Sequence, residues 1–584
     1  LTPDAQTVHA PAIGFVPAEL NAAEWSNIEP FVRALLDREV TDADAFEAWL
    51  LDRSELEAAC SESAANLYIA MTCHTDDESK QAAYTDYITR TAPELKRAAF
   101  QLDRRQVELA DRFPLPPERF GVLDRDTRAE VELFREENVP LQTELDRLSQ
   151  KYDQIAGAMT VEFDGQERTL PQMAKFQEST DRALRERSWR AVSERRLRDR
   201  EAIDGVFDEM IALRHKVARN AGFEDYVGYA FRSRRRFDYT PEDCRAFHDA
   251  VAEVVVPIAR RLDAERGRAL SLSSLRPWDL SVDVKGRSPL EPFTNGADLV
   301  ARTTRALERL DPRLAEMFRT MGDGSLAQGA AGGACLDLDS RRGKAPGGYQ
   351  YNRDRSRVPF IFMNAAGLHR DVETMVHEAG HAFHSMLARD EPLLHYRHSP
   401  IEFAEVASMS MELLTMPYWD AFYSDPESLA RAQRKQLEGS VTLLAWIATI
   451  DAFQHWLYAN PTHTRAERTA QWLELDARFG HAVDWSGIDN ARAAQWQRQG
   501  HLFGSPFYYI EYGIAQLGAL GLWLHSLEHG EASAIDRYLA ALRLGGSRPL
   551  PELFAAAGLP FDFGKATIAR LADRVSQELA KLPE

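Results

Sequence analysis

The run His377-Glu378-Ala379-Gly380-His381 contains the residue types and spacing of a metal-assisted hydrolase. Residues four apart share one face of an α-helix, so both imidazoles can bind a single ion. The glutamate after the first histidine then points at the open coordination position. Val372, Met375, Val376, Ala379, Ala382, Phe383 and Met386 supply the apolar periodicity of a buried helix around the run. Gly380 costs such a helix about 1 kcal/mol relative to alanine, so its presence calls for a close-packing reason. The plain alternative is a core helix whose histidines are merely hydrogen-bonded.

A catalytic zinc takes three protein ligands and keeps a fourth position open. Downstream, a helical pattern carries Glu402, Glu405 and Glu412. Glu405 and Glu412 lie seven apart and share a face, so one can bind metal while the other bonds a ligand's second nitrogen or the neighbouring backbone. Glu402 competes for the ligand role, and so does His384, three residues after His381. Spacing leaves these open, excluding only the extended metzincin pattern, whose glycine and last histidine are not in place.

His377-Glu378-Ala379-Gly380-His381-Ala382-Phe383-His384-Ser385, followed by Phe403-Ala404-Glu405-Val406-Ala407-Ser408, resembles the thimet oligopeptidase family of zinc peptidases (family M3), most closely its oligoendopeptidase F branch. The resemblance implies that Glu405 is the third ligand, with one Zn2+ per chain held by His377, His381 and Glu405, and that His384 is not a ligand. It implies Glu378 as general base, with His501 and Tyr508 stabilising the tetrahedral intermediate and Tyr512 binding substrate nearby. The fold it implies is mainly α: a two-lobed helical zincin with a deep substrate channel and a small β-sheet beside the zinc helix. The partners it implies are short unstructured peptides, cut at internal bonds. Asp181-Arg182 with Trp189-Arg190, and Arg276-Pro277-Trp278-Asp279-Leu280, are also similar to family motifs.

The elements that must position these residues are mostly helical. Asn21-Ala22-Ala23-Glu24 has the form of a capping box opening a helix through Phe31, Val32, Leu35 and Leu36. Pro114-Leu115-Pro116-Pro117 predicts a break, and Leu141, Leu145, Leu148, Tyr152 and Ile155 one long amphipathic helix. Met159–Phe163 and Arg168–Leu170 predict a hairpin about Asp164-Gly165. The charged stretch from Thr180 to Leu213 reads as a solvated helix face. Glycines at 332, 333, 343, 347 and 348 precede an apparent strand, Val358–Met363. A sheet edge there can accept an extended peptide, with Gly347, Gly348 and Tyr349 as substrate contacts where two backbones approach closely. Pro506–Leu524 reads as a buried helix interrupted by Glu511.

The chain has 584 residues, 44% of them hydrophobic, and a formal net charge of −20. That is a folded globular composition, and its field disfavours nucleic acid and anionic membranes as partners. Cys60, Cys73, Cys244 and Cys335 are too scattered for a disulfide framework, which fits a reducing compartment. No membrane-spanning run or signal peptide is visible from Leu1-Thr2-Pro3-Asp4 onward, although the missing initiator methionine leaves a removed leader open. The expectation is a cytoplasmic protein with an N-terminal helical region over residues 1–180 and a catalytic domain over 181–584. Two other functions compete: a peptidyl-dipeptidase or carboxypeptidase of a related helical zinc fold, and a non-catalytic peptide-binding protein. The intact Glu378 argues against the last.

Overall fold

A computed structural model describes residues 14–324, 335–341, 343–345 and 347–583. The start at Leu1–Asp4 and the glycines at 332 and 333 lie outside the described residues. The chain forms two compact units that interleave in sequence. The first is drawn from within residues 1–132, 291–429 and 518–561, the second from 133–290, 430–517 and 562–584.

Helices dominate, as the apolar periodicities predict. Those used below are α1 (Ala43–Cys73), α2 (Arg182–Arg198), α3 (Pro241–Ala250), α4 (His369–Ala388), α5 (Ile401–Leu414), α6 (Pro426–Ala459) and α7 (Tyr509–His529). The strands are β1 (Thr160–Phe163), β2 (Gln166–Thr169), β3 (Leu336–Asp339), β4 (Tyr349–Arg353) and β5 (Val358–Ala365).

In the first unit, β3, β5 and β4 form a three-stranded sheet in that order, β5 running parallel to β3 and antiparallel to β4. The predicted strand at Val358–Met363 is therefore the central one. Phe360, Ile361, Phe362 and Met363 are all buried in it. A short turn leads from β5 into α4, where Asp371 accepts hydrogen bonds from the backbone N–H groups of Ala366 (2.8 Å) and Leu368 (2.9 Å). These satisfy donors that the start of the helix would otherwise leave orphaned. A separate core in this unit gathers Ile28, Val32, Leu35, Phe46, Trp49 and Leu102, with Trp49 Nε1 donating to Leu35 O at 2.8 Å.

The capping box expected at Asn21–Glu24 does not open the first helix. That helix begins at Trp25, and Glu24 makes no side-chain cap bond. Asn21 Oδ1 instead accepts from Ala23 N, only two residues on, at 3.2 Å, which closes a local Asx-type turn. The proline break does separate two helices, one ending at Arg112 and the next starting at Pro117.

In the second unit, the predicted amphipathic helix spans Asn138–Gly157, and β1 and β2 form the hairpin with Val161 opposite Arg168. Asp164 and Gly165 sit in its turn at φ 51° and 72°, the left-handed conformation that a two-residue hairpin requires. The solvated-face reading of residues 180–213 needs correction: Arg185 and Ser188 on α2 are buried, and so is Asp204 beyond it. Arg185 turns inward because Asp279 waits there, 0% exposed. Arg185 reaches its Oδ1 at 3.0 Å, and Arg182 reaches its Oδ2 at 2.8 Å. Trp189 packs on Trp278 with ring centroids 5.5 Å apart, and Arg190 lies over the same indole. The two motifs near 181–190 and 276–280 thus form one structural node. Glu511, the charge interrupting the apolar run of α7, is buried and bonded by Arg234 (3.1 Å) and Arg236 (2.8 Å).

Candidate active site

Helices α4 and α5 cross at Gly380, where a Cβ would lie 2.5 Å from Ala407 O and 2.6 Å from Ser408 Cα. Only glycine lets the two backbones come this close. One consequence is the position of Glu405, one turn from that crossing. Its Oε2 lies 3.4 Å from His377 Nε2 and 3.6 Å from His381 Nε2. The ligand atoms of these three residues all fall within 4.8 Å of one another. Neither Glu402 nor His384 joins that group among the described residues. His384 is buried against Phe403, and burial pushes its pKa down to about 3.

The surroundings fit a dication bound by two imidazoles and a carboxylate. Glu412 Oε1 is 2.7 Å from His377 Nδ1, the outer-shell bond that fixes a ligand histidine's tautomer and leaves Nε2 to face the metal. Ser408 Oγ donates to Glu405 Oε2 at 3.0 Å. Burial pushes Glu405 up, but the neighbouring His381 and His377 outweigh it and hold the carboxyl at about 2. Burial likewise pushes His377 down, yet the bonds to Glu405 and Glu412 carry it well above its ordinary value. The site therefore favours positive charge beside His377. His381 lacks such a carboxylate bond, and burial lowers it to about 4.

Glu378 is buried on the same helix. Burial raises its carboxyl to about 7, against the pull of His377. A backbone N–H of Gln350 bonds it from β4, one of the two edge strands of the sheet. Sequence spacing gave no hint of this contact, because it depends on how the sheet packs on α4. Gly347 adopts φ 101°, and Gly348 lies close to Phe362 O, 3.4 Å from where its Cβ would sit. The side chain of Tyr349 turns into the fold, bonding Thr72 Oγ1 at 2.6 Å and stacking on Phe362 at 4.8 Å.

The other predicted residues gather in the second unit. The His501 ring lies 5.6 Å from that of Tyr508 and 6.0 Å from that of Tyr512, and the two phenols are 5.0 Å apart. Gln499 anchors the group. Its Nε2 is 2.8 Å from His501 Nδ1, while its Oε1 accepts from Tyr509 OH at 3.0 Å and from Trp446 Nε1 at 3.2 Å. Tyr509 is thereby committed to the scaffold. Gln499 escaped the sequence reading because a glutamine carries no signal of its own; its proximity to His501 was the only clue.

Known proteins resemble this chain in sequence and in fold. Oligopeptidase PepF of Bacillus subtilis is 24% identical over 314 residues, which is 52% of this chain and 44% of the relative. The chain thus matches less than half the length of that curated relative. A 3.1 Å X-ray structure labelled as a candidate oligoendopeptidase F superposes with a TM-score of 0.88 at 28% identity, covering 96% of this chain and 97% of the other. An inhibitor complex of PZ peptidase A gives 0.86 at 27% identity over 95% and 97%. The sequence profile of peptidase family M3 matches residues 175–572, well over half of the chain, and with the zinc-type cluster on α4 and α5 inside that span, this chain belongs to peptidase family M3.

Proposed function

We propose that this chain is a zinc-dependent oligoendopeptidase acting on internal bonds of short unstructured peptides. The observation that carries the reading is the convergence of His377, His381 and Glu405 with Glu378 buried alongside. Those three residues would hold one Zn2+, with Glu412 orienting His377. A zinc ion bound there supplies Lewis acidity, which acidifies water and polarises a carbonyl at neutral pH.

Glu378 takes the proton of the attacking water and delivers it to the leaving amine. Burial raises its carboxyl, which suits a group that must both accept and return a proton. Tyr508 and His501 donate to the developing oxyanion, each such donor typically contributing about 3–4 kcal/mol. Tyr512 binds substrate beside them. The edge strand β4, with Gly347 and Gly348 leading into it, pairs with the extended peptide through its backbone. We place the catalytic region at residues 181–584, a reading supported by the profile match over 175–572, and the protein in the cytoplasm.

The test is metal analysis together with hydrolysis of an internally quenched peptide before and after chelation. Turnover that depends on zinc supports the reading. Undiminished turnover in fully zinc-stripped protein overturns it. Amidating the peptide's C-terminus separates internal cleavage, which persists, from a peptidyl-dipeptidase or carboxypeptidase, which needs the free carboxylate.

A further inference from the structure

A second group of metal-binding type lies in the other unit. Cys244 on α3 and Asp451 and His455 on α6 bring their ligand atoms within 4.8 Å of one another. His248, one turn beyond Cys244 on α3, places Nε2 2.9 Å from Asp451 Oδ2. Two helices therefore face each other with Cys-x-x-x-His and Asp-x-x-x-His, each pair sharing a face. The first site pairs its two histidines at the same spacing.

These residues are withdrawn from water. Cys244 and Asp451 are 0% exposed, and the His455 side chain is 10% exposed. The rings of Phe507 and Phe231 close around His455 at 5.2 and 6.0 Å. Yet Asp451 Oδ1 has no hydrogen-bond partner, and His455 Nε2 makes no well-aligned hydrogen bond although it lies 3.4 Å from Asp451 Oδ2. A polar atom buried without a partner costs about 1–3 kcal/mol. Such an atom beside a poorly bonded nitrogen and a thiol points to something that bonds all three. An ordinary buried network of Asp451 with two histidines would explain His248 and His455 on Oδ2 but leaves Oδ1 unpartnered beside the thiol.

We propose that Cys244 Sγ, Asp451 Oδ1 and His455 Nε2 bind a second zinc ion, with His248 holding the Asp451 carboxylate through its other oxygen. A mixed sulfur, oxygen and nitrogen set suits zinc, and the depth of burial makes the ion a clamp joining α3 to α6 rather than a reaction centre.

Sulfur distinguishes this site from the first, whose ligands are nitrogen and oxygen only. Protein from zinc-supplemented growth is analysed for metal content and by X-ray absorption at the zinc edge. The wild type is expected to carry two zinc ions per chain with a zinc–sulfur distance of about 2.3 Å. His381→Ala should keep one zinc, all of it sulfur-bound, and Cys244→Ser one zinc without sulfur. A wild-type spectrum with no sulfur shell overturns the proposal, whether or not Cys244→Ser folds. One zinc per chain without sulfur sinks this site and leaves the peptidase reading standing. One zinc, wholly sulfur-bound, does the reverse.

Discussion

His377, His381 and Glu378 sit on one helix but have different work. Two of them point nitrogen at a common centre with Glu405, while the third is a buried carboxyl with a raised pKa. Replacing Glu378 by Gln keeps the shape and removes the proton acceptor. Peptide hydrolysis should fall by about 10²–10⁴-fold, the usual contribution of a general base, with zinc content unchanged. His381→Ala should lose the zinc of this site and activity together. Parallel metal analysis and initial rates check both, and near-normal turnover in the Gln variant would remove Glu378 from the base role.

At the scale of elements, the site depends on how closely α4 and α5 cross. Gly380→Ala gains about 1 kcal/mol in helix propensity, but its Cβ meets backbone atoms, Ala407 O at 2.5 Å, which cannot swing aside. Overpacking of this kind costs about 1–3 kcal/mol, so the clash should win. The variant is expected to melt at lower temperature and to bind zinc more weakly, since Glu405 rides on the displaced helix. An unchanged melting temperature would show that the helices can part freely.

The sheet that supports α4 has its own electrostatic anchor. Asp337 on β3 bonds Arg341 at 2.6 Å and Lys344 at 2.8 Å. Burial pushes Asp337 up, but the bonds from Arg341, Lys344 and Cys73 bring it down to about 2, below the ordinary range of an aspartate. Lys344 is pushed down by burial, yet it stays charged throughout the acid range and does not alter the sign. A depressed carboxyl gives stability that is full above the unfolded pKa and is lost as pH falls towards the folded one. Asp337 should therefore contribute on the order of 2 kcal/mol. Between about pH 4 and 2 the wild type should lose more stability than Asp337→Asn, as read from urea midpoints.

Across the whole molecule, contacts between distant stretches of chain hold each unit together. Asp279 binds Arg182 and Arg185, nearly a hundred residues away, and both Asp279 and Arg185 are buried. Asp279→Ala strands a buried guanidinium and should cost about 3–5 kcal/mol, measurable by chemical denaturation. A change below 1 kcal/mol would mean that Arg185 finds water instead. The net charge of −20 acts at longer range. It should raise kcat/KM for lysine-rich peptides over neutral ones at low salt, and the advantage should shrink as added salt shortens the Debye length from about 30 Å at 0.01 M to about 10 Å at 0.1 M. A salt-independent ratio would show that this field does not steer substrate.

The order of residues along the chain determined the helical character, the hairpin about Asp164-Gly165, the central strand at Val358–Met363 and the histidine pair with its glutamate. All of these are local, written in spacings of two, three and four that the backbone must obey. Spacing left Glu405, Glu402 and His384 open and a family resemblance pointed to Glu405, but the physical reason is the crossing of α4 and α5, since three residues on two helices share a centre only once the helices are packed. The same holds for Gln350 at Glu378, Gln499 at His501 and the Cys244–Asp451–His455 cluster. The first and last join groups that sequence leaves far apart, and even the neighbours Gln499 and His501 meet through side chains whose directions only burial and packing in three dimensions decide.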